Sequence, residues 1–146
     1  MRELTLEQCQ MLLRLDGTLE QAQEGWYFDY RKIDKALDFL KISHRVRLGF
    51  KAGVRKFGDH DSYEGFHDVK VSTYLEIEDA NETFWHELIH CSQAERLWRQ
   101  SSLPISKFHA AYEAEMGPSG NMYKGNAFEV EARFLAKRYK SMALLS

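Results

Sequence analysis

The chain has 146 residues, of which 44% are hydrophobic and 29% charged, fractions that are typical of one soluble globular domain. An aromatic content of 13% argues against disorder, and two cysteines are too few for a disulfide-based scaffold. No apolar run is long enough to span a membrane, and the N-terminus lacks the continuous apolar core of a signal peptide. We therefore expect a single cytoplasmic domain over residues 1–146.

The charges are unevenly distributed along the chain. The formal net charge of −2 gives no overall reason to expect nucleic acid as a partner. However, Arg31–Lys56 is strongly basic, whereas Asp59–Glu95 is strongly acidic. One interpretation is a basic face for a polyanion. The other, which we favour, is that the two stretches lie side by side in the fold and neutralise each other.

The predicted elements fall into three parts of the chain. Residues 1–42 form a helical part, with helices over 4–15 and 29–42, the second of them capped by Asp29. Residues 45–78 form a small antiparallel or mixed sheet, and residues 80–142 carry the remaining helices. This order of helices, strands and helices predicts an α+β domain.

Within the sheet, two stretches alternate between apolar and polar residues as strands do. They are Val46–Phe50 and, more extensively, Val69–Ile77. A short strand over 54–57 is predicted to pair with the first of them. The letters GDHD at 58–61 are predicted to form a turn.

The third part begins with a helix-start signal. Asp79 and Glu82 have the spacing of a capping box, which predicts a helix over 80–100. Two further helices are predicted over 105–116 and 127–142.

The first of these helices contains the sequence HELIH over residues 86–90. Residues four apart on a helix differ by about 40° around its axis and about 6 Å along it, so His86 and His90 reach one Zn²⁺ from the same face. Glu87 lies about 100° from His86, beside the open position of the metal, where a general base takes a proton from water. We expect zinc here, against the alternative of two hydrogen-bonded histidines on a partly buried helix.

A hydrolytic zinc site usually has three protein ligands. Gln93 and Arg96 stand where the extended motif HExxHxxGxxH requires Gly and His, so the third ligand comes from further along the chain. The final helix offers Glu129 and Glu131 for this role.

Helix geometry separates these two glutamates. Glu129 borders Ala132 and Ala136, whose small side chains allow a neighbouring helix to approach closely. Glu131 lies among bulkier residues and within reach of Arg138. The geometry favours Glu129, and Glu131 remains the alternative.

These residues resemble the gluzincin class of zinc metallopeptidases, and in particular the small single-domain minigluzincins. Such minimal HExxH proteins often occur in phages and bacteria. The resemblance covers residues 69–139 and implies a zincin-like fold, in which the sheet packs against an active-site helix and a C-terminal helix. It also implies that the strand over 69–77 runs along the cleft and that an extended substrate adds to it as another strand. The implied zinc ligands are His86, His90 and Glu129, and the implied general base is Glu87.

The resemblance also implies a Tyr or His that stabilises the oxyanion of the tetrahedral state. Tyr123 is the first candidate, with His109 and Tyr112 as alternatives. The family often has an Asp four residues after the ligand glutamate, where it orients a ligand histidine, but this chain has Arg133. Asn126 or a backbone carbonyl is therefore expected to orient that histidine.

Three further residues with metal-binding side chains have simpler interpretations. Cys91 points about 100° away from His90, and we expect it in the core and not on the metal. His60 and His67 are predicted to lie in a polar hairpin loop, which we favour over a second metal site.

We therefore predict a Zn²⁺-dependent metallopeptidase that hydrolyses a peptide or protein with metal-activated water and a glutamate general base. One rival is a catalytically silent zincin-fold binding module. Another is a nucleic-acid-binding protein that uses the basic stretch Arg31–Lys56. The sequence indicates neither the cleavage specificity nor the oligomeric state.

Overall fold

The computed structural model of the chain describes residues 27–51, 57–115 and 125–146. The elements are, in chain order, helix α1 (Tyr30–Phe39), strands β1 (Arg45–Lys51), β2 (Gly58–Tyr63) and β3 (Phe66–Ser72), helix α2 (Ile77–Ser101), a 3-10 turn (Ile105–Lys107), and helices α3 (Phe108–Ala114) and α4 (Ala127–Tyr139). This arrangement confirms the predicted α+β class. The predicted helix over 4–15 lies outside the described residues.

Helix α1 begins where its cap was predicted. Asp29 Oδ1 accepts a hydrogen bond of 3.3 Å from the backbone N–H of Lys32, which satisfies one of the free donors of the first turn. Ile33 and Leu37 are buried on its inner face. The helix ends at Phe39 and not at residue 42.

The three strands form a mixed sheet in the order β1-β3-β2. Strand β1 runs parallel to β3, and β2 runs antiparallel to β3. The predicted alternation in β1 is confirmed, because Val46, Leu48 and Phe50 are all buried. Since β3 has a partner on each side, it is the central strand, and β2 lies at an edge of the sheet within the described residues.

Strand β2 shows that the predicted turn at GDHD is wrong. The segment pairs with β3 along its whole length, from Gly58 opposite Val71 to Tyr63 opposite Phe66. Its polar composition fits an edge strand, where neither face is fully covered. The turn follows at 64–65, where Gly65 has a φ of 84°. The predicted strand over 54–57 falls outside the described residues except for residue 57, which precedes β2.

Two predictions about the boundary between β3 and α2 are wrong. The strand ends before residue 77, and the helix begins before Asp79. Strand β3 ends at Ser72, whose Oγ accepts a hydrogen bond of 3.2 Å from the N–H two residues further on. Such local bonds compete with the ladder of a sheet. Helix α2 begins at Ile77 with Glu76 as its N-cap, so Asp79 lies inside the first turn, where its charge suits the helix dipole.

Helix α2 is the centre of the molecule. It packs against the sheet on one side and against α4 on another. Asn81 ties it to the C-terminal segment, because its Oδ1 accepts from the N–H groups of Leu144 at 2.6 Å and Leu145 at 2.7 Å. Helix α4 ends at Tyr139 and not at residue 142. None of the helices in the described ranges combines the length and apolar character needed to cross a membrane.

Candidate metal centre

The fold brings two histidines of α2 and one glutamate of α4 to a single point. The Nε2 atoms of His86 and His90 are 3.2 Å apart. Glu129 places Oε2 at 3.0 Å from His86 Nε2 and Oε1 at 3.0 Å from His90 Nε2. Two ligands of a tetrahedral zinc ion lie about 3.3 Å apart when each bond is about 2.0–2.1 Å, so the spacings between the two Nε2 atoms and the carboxylate oxygens match a shared ion.

Helix α4 reaches α2 through its small side chains. Ala132 and Ala136 are buried, with 0% and 2% of their surface exposed. They follow Glu129 on the side of α4 that faces α2, as the sequence indicated. This close approach lets the short carboxylate of Glu129 reach the histidines.

Glu131 faces a different neighbour. Its Oε1 accepts 2.7 Å and 3.0 Å hydrogen bonds from Arg96 Nη2 and Gln93 Nε2. Residues two apart on a helix differ by about 200° around its axis, so the side chains of Glu129 and Glu131 point in nearly opposite directions and cannot reach the same ion. Glu131 therefore pairs with Arg96, whereas the sequence had suggested Arg138 as its neighbour.

Gln93 determines which nitrogen of His90 carries a proton. The amide Nε2 of Gln93 donates to Phe128 O at 2.9 Å and to Glu131 Oε1 at 3.0 Å, so its Oε1 is the atom that faces His90 Nδ1, at 2.8 Å. An amide oxygen only accepts, and therefore Nδ1 is the N–H of His90. The lone pair of Nε2 then points at the Glu129 carboxylate. Two acceptors at 3.0 Å require a cation between them, either a proton or a metal ion.

The electrostatics of Glu129 agree with a cation site. Burial raises the pKa of this carboxyl, but its contacts with His86, His90 and Tyr112 outweigh the burial and hold the pKa well below its ordinary value. Burial also lowers the pKa of His90, yet the bond to Glu129 and the charge of Glu87 raise it above its ordinary value. The carboxylate is thus ionised at neutral pH and attracts positive charge to this point.

Glu87 lies beside the three converging side chains. It is 8% exposed and lines the same cleft. Burial raises its pKa above the ordinary value, and Glu129 and Asp59 add to the rise, while His90 and His86 offset part of it. A raised pKa brings a carboxylate closer to the value at which it exchanges protons efficiently near neutral pH.

A cleft of about 510 Å³ opens over these residues. Its walls come from β2, α2, α3 and α4, and they include Phe108, Arg133 and Lys137. Both histidines, Glu87 and Glu129 line it.

The three candidates for the oxyanion donor have different outcomes. Tyr112 Oη donates to Glu129 Oε1 at 2.7 Å, so it holds the carboxylate in place. His109 lines the cleft but is largely exposed and pairs with Glu113 at 2.9 Å. Tyr123 lies outside the described residues.

The expected role of Asn126 is wrong. Its Oδ1 accepts from the N–H of Phe128 at 2.9 Å, which caps α4, and its Nδ2 donates to Tyr112 O at 2.9 Å. It therefore joins α3 to the start of α4 and orients no histidine. The residue that orients His90 is Gln93, which the sequence interpretation missed although three-residue spacing on a helix makes the pair possible.

The strand beside the cleft also differs from the expectation. The resemblance implied that the segment 69–77 borders the cleft, but β3 is paired on both sides and has no edge to offer. Strand β2 lines the cleft instead. At Gly58 it approaches α2 so closely that a Cβ would lie 2.7 Å from Thr83 Cγ2 and 3.0 Å from Glu87 Cγ.

We expect Gly58→Ala to destabilise the protein by about 1–3 kcal/mol, the usual cost of overpacking a tight contact. Urea unfolding of the wild type and the variant measures this difference. Because Thr83→Ser removes the methyl group that the new Cβ would strike, the double variant Gly58→Ala/Thr83→Ser should recover part of the loss. An unchanged unfolding midpoint in Gly58→Ala would contradict the contact.

Two other groups of metal-binding side chains occur in the described residues. They are His60, His67 and Cys91, and His44, His67 and Glu95. Cys91 is fully buried, as expected for a core residue, and burial raises the pKa of its thiol well above the ordinary value, which disfavours a thiolate ligand.

The basic and acidic stretches meet in the sheet. Lys51 Nζ pairs with Asp59 at 2.8 Å, and Arg47 Nε pairs with Asp68 at 3.1 Å. These pairs join β1 to the acidic strands β2 and β3, as the preferred interpretation of the charges predicted.

Comparison of the chain with protein families, with curated proteins and with solved structures finds no match.

Proposed function

We propose that this chain is a zinc-dependent peptidase of the gluzincin type with a zincin-like fold. The observation that carries the proposal is the convergence of His86, His90 and Glu129 beside the buried Glu87. Two histidines and a glutamate are a ligand set used by catalytic zinc sites, in which a fourth position stays open for water or substrate. The cleft above the three side chains leaves room for such a position.

The donor set fits zinc better than it fits a hard cation. Imidazole nitrogen is a good ligand for Zn²⁺, whereas Mg²⁺ and Ca²⁺ prefer oxygen ligands throughout. Gln93 supports this fit, because its bond to Nδ1 presents the bare Nε2 of His90 to the ion. Tyr112 supports it by holding the Glu129 carboxylate.

The chemistry divides between the ion and the chain. When bound, Zn²⁺ would lower the pKa of water and polarise the scissile carbonyl. Glu87 takes the proton from the attacking water and passes it to the leaving amine. Its raised pKa and its position on the turn that carries His86 support this role.

Strand β2 provides a surface for an extended peptide. Phe57 O accepts from Ser72 N at 2.8 Å, so these two residues form a hydrogen-bonded pair of the antiparallel ladder. Such pairs alternate with pairs whose main-chain groups point away from the partner strand. The N–H and C=O groups of Gly58, His60 and Ser62 are therefore directed to the side of β2 that has no partner in the described residues. A peptide that lies there pairs with them as an added strand.

Metal removal tests the proposal. We expect the protein to cleave members of a mixed peptide library, to lose this activity on dialysis against a chelator, and to regain it with about one equivalent of Zn²⁺. Mg²⁺ should not restore it, because nitrogen ligands suit this ion poorly. Cleavage that persists in the metal-free protein would overturn the proposal. A zinc-loaded protein that cleaves no peptide would instead indicate the silent binding module.

A further inference from the structure

A chain of polar side chains, buried at one end and half-buried at the other, runs from the far side of α2 to the cleft. It begins at Glu95, which is fully buried, and His67 Nε2 lies 3.7 Å from Glu95 Oε1. Ser62 Oγ then bridges two histidines, at 2.7 Å from His67 Nδ1 and 2.8 Å from His60 Nε2. Of the four side chains, those of Ser62 and His60 line the cleft. The converging ligands of the metal centre need none of these contacts.

The anionic end of the chain is Glu95. Burial raises the pKa of this carboxyl, but the nearby His67 and hydrogen bonds from the backbone and side chain of His44 outweigh the burial and lower the pKa to about 2. Its Oε1 also accepts from the N–H of Ser43 at 2.6 Å. Glu95 is therefore ionised at neutral pH and acts only as an acceptor.

The negative charge of Glu95 at one end of the chain determines which atoms donate and which accept in the hydrogen bonds of Ser62. The 3.7 Å between Glu95 Oε1 and His67 Nε2 is longer than a hydrogen bond, but the nearby negative charge favours the tautomer of His67 with its N–H at Nε2, and a neutral imidazole then has only a lone pair at Nδ1. Full burial favours this neutral form of His67. Ser62 thus donates its hydroxyl proton to His67 and accepts from the N–H of His60 Nε2. The remaining nitrogen of His60, Nδ1, carries a lone pair and no proton.

The position of His60 makes that lone pair available to a ligand. Its ring packs against His90 and Phe108, with ring centres 6.0 Å and 5.7 Å apart. The ring centre also lies 5.7 Å from that of His67, and packing among these rings favours an uncharged imidazole. Nδ1 makes no hydrogen bond with the described residues, and it is not enclosed, since His60 lines the cleft.

We propose that His60 determines substrate specificity by accepting, at Nδ1, a hydrogen bond from a hydroxyl- or amide-bearing side chain of the peptide. The proposal rests on the proposed function, because it places the peptide along β2. Side chains of directly opposed residues on neighbouring strands lie about 5 Å apart on the same face, which is within reach of the His60 ring. An apolar side chain at this position leaves Nδ1 without a donor, and an acidic one brings a second acceptor.

Matched peptides test the specificity. A zinc-loaded protein should cleave a peptide with Thr at the position beside His60 about tenfold faster, in kcat/KM, than the same peptide with the isosteric Val, as a hydrogen bond of about 1.4 kcal/mol implies. The position is found by moving the Thr/Val pair along one peptide. His60→Phe keeps a ring against His90 and removes the acceptor, so the Thr/Val ratio should fall to about one. Glu64→Gln, on the hairpin turn outside the cleft, should keep the wild-type ratio.

The direction of the hydrogen bonds is tested without activity. Two-bond ¹H–¹⁵N spectra of histidine-labelled protein distinguish the two tautomers, and the signals that disappear in His60→Phe belong to His60. We expect the Nε2–H tautomer in the wild type and a mixture in Ser62→Ala, which interrupts the chain. A wild-type Nδ1–H tautomer, or a Thr/Val ratio that is unchanged in His60→Phe, would overturn the proposal.

These results separate two kinds of failure. If the zinc-loaded protein cleaves no peptide, the proposed function fails, and the binding of both peptides to the Glu87→Gln variant then tests His60. The Thr peptide should shift the Nδ1 signal of His60 and the Val peptide should not. Equal shifts would overturn the specificity role, whatever the fate of the peptidase activity.

Discussion

Glu129→Ala should abolish stoichiometric zinc binding, whereas Glu131→Ala should leave it intact. The two oxygens of Glu129 each lie 3.0 Å from one of the two Nε2 atoms, and no other carboxylate of the described residues joins this group. Loss of a residue that merely supports a ligand weakens metal affinity about 10–100-fold, so loss of the ligand itself should weaken it by more than about 100-fold. Mass spectrometry of the metal content and competition with a zinc chelator measure both quantities.

Glu131→Ala is the matched control, because it removes a carboxylate of the same helix. Its partner Arg96 lies at the surface, and Gln93 keeps a second hydrogen bond to Phe128 O, so the bond to His90 persists. Equal zinc loss in both variants would show that the effect comes from α4 as a whole and not from the carboxylate that faces the histidines. Full zinc content in Glu129→Ala would refute the proposed ligand set.

Glu87→Gln should lower kcat by about 10²–10⁴-fold, the usual contribution of a general base. The amide has nearly the shape of the carboxylate but accepts no proton at neutral pH, so zinc content and the unfolding transition should stay at wild-type values. The measurement is kcat on a cleaved peptide, with metal analysis and urea unfolding of the same preparation.

Glu82→Gln offers the control for this prediction. Glu82 lies on α2 at the rim of the same cleft, and it pairs with Lys140 at 3.3 Å. Surface ion pairs of this kind contribute little, so this variant should remain active. If Glu87→Gln hydrolyses peptides as fast as the wild type, Glu87 is not the base, and the mechanism fails even if zinc is bound.

Much of the candidate site was predictable because helix periodicity is a local property. Four-residue spacing alone places His86 and His90 on one face of α2. The same periodicity distinguishes Glu129, on the alanine side of α4, from Glu131, and the structure brings the former to the histidines. None of these inferences requires knowledge of which segments meet in space.

The errors arose where a local pattern had more than one meaning. The alternation over 69–77 continues past Ser72, although the chain has already turned there, since a period of two does not by itself mark where a strand ends. The letters GDHD carry turn propensity, but the pairing with β3 overrides it. A capping box at Asp79 competes with an earlier helix start, and packing of Ile77 against the core favours the earlier one.

Four features follow from the order of residues alone, because each depends on positions close together in the chain: the α+β class, the cap of α1, the buried face of β1 and the facing pair of histidines. Three others emerge only when the chain is folded: the strand order that leaves β2 at an edge within the described residues, the contact of Tyr112 with Glu129, and the chain from Glu95 to His60. These features join residues that are distant in sequence, and a long-range contact depends on the whole set of packed elements. Periodicity specifies which face of an element is buried but not which neighbour covers it.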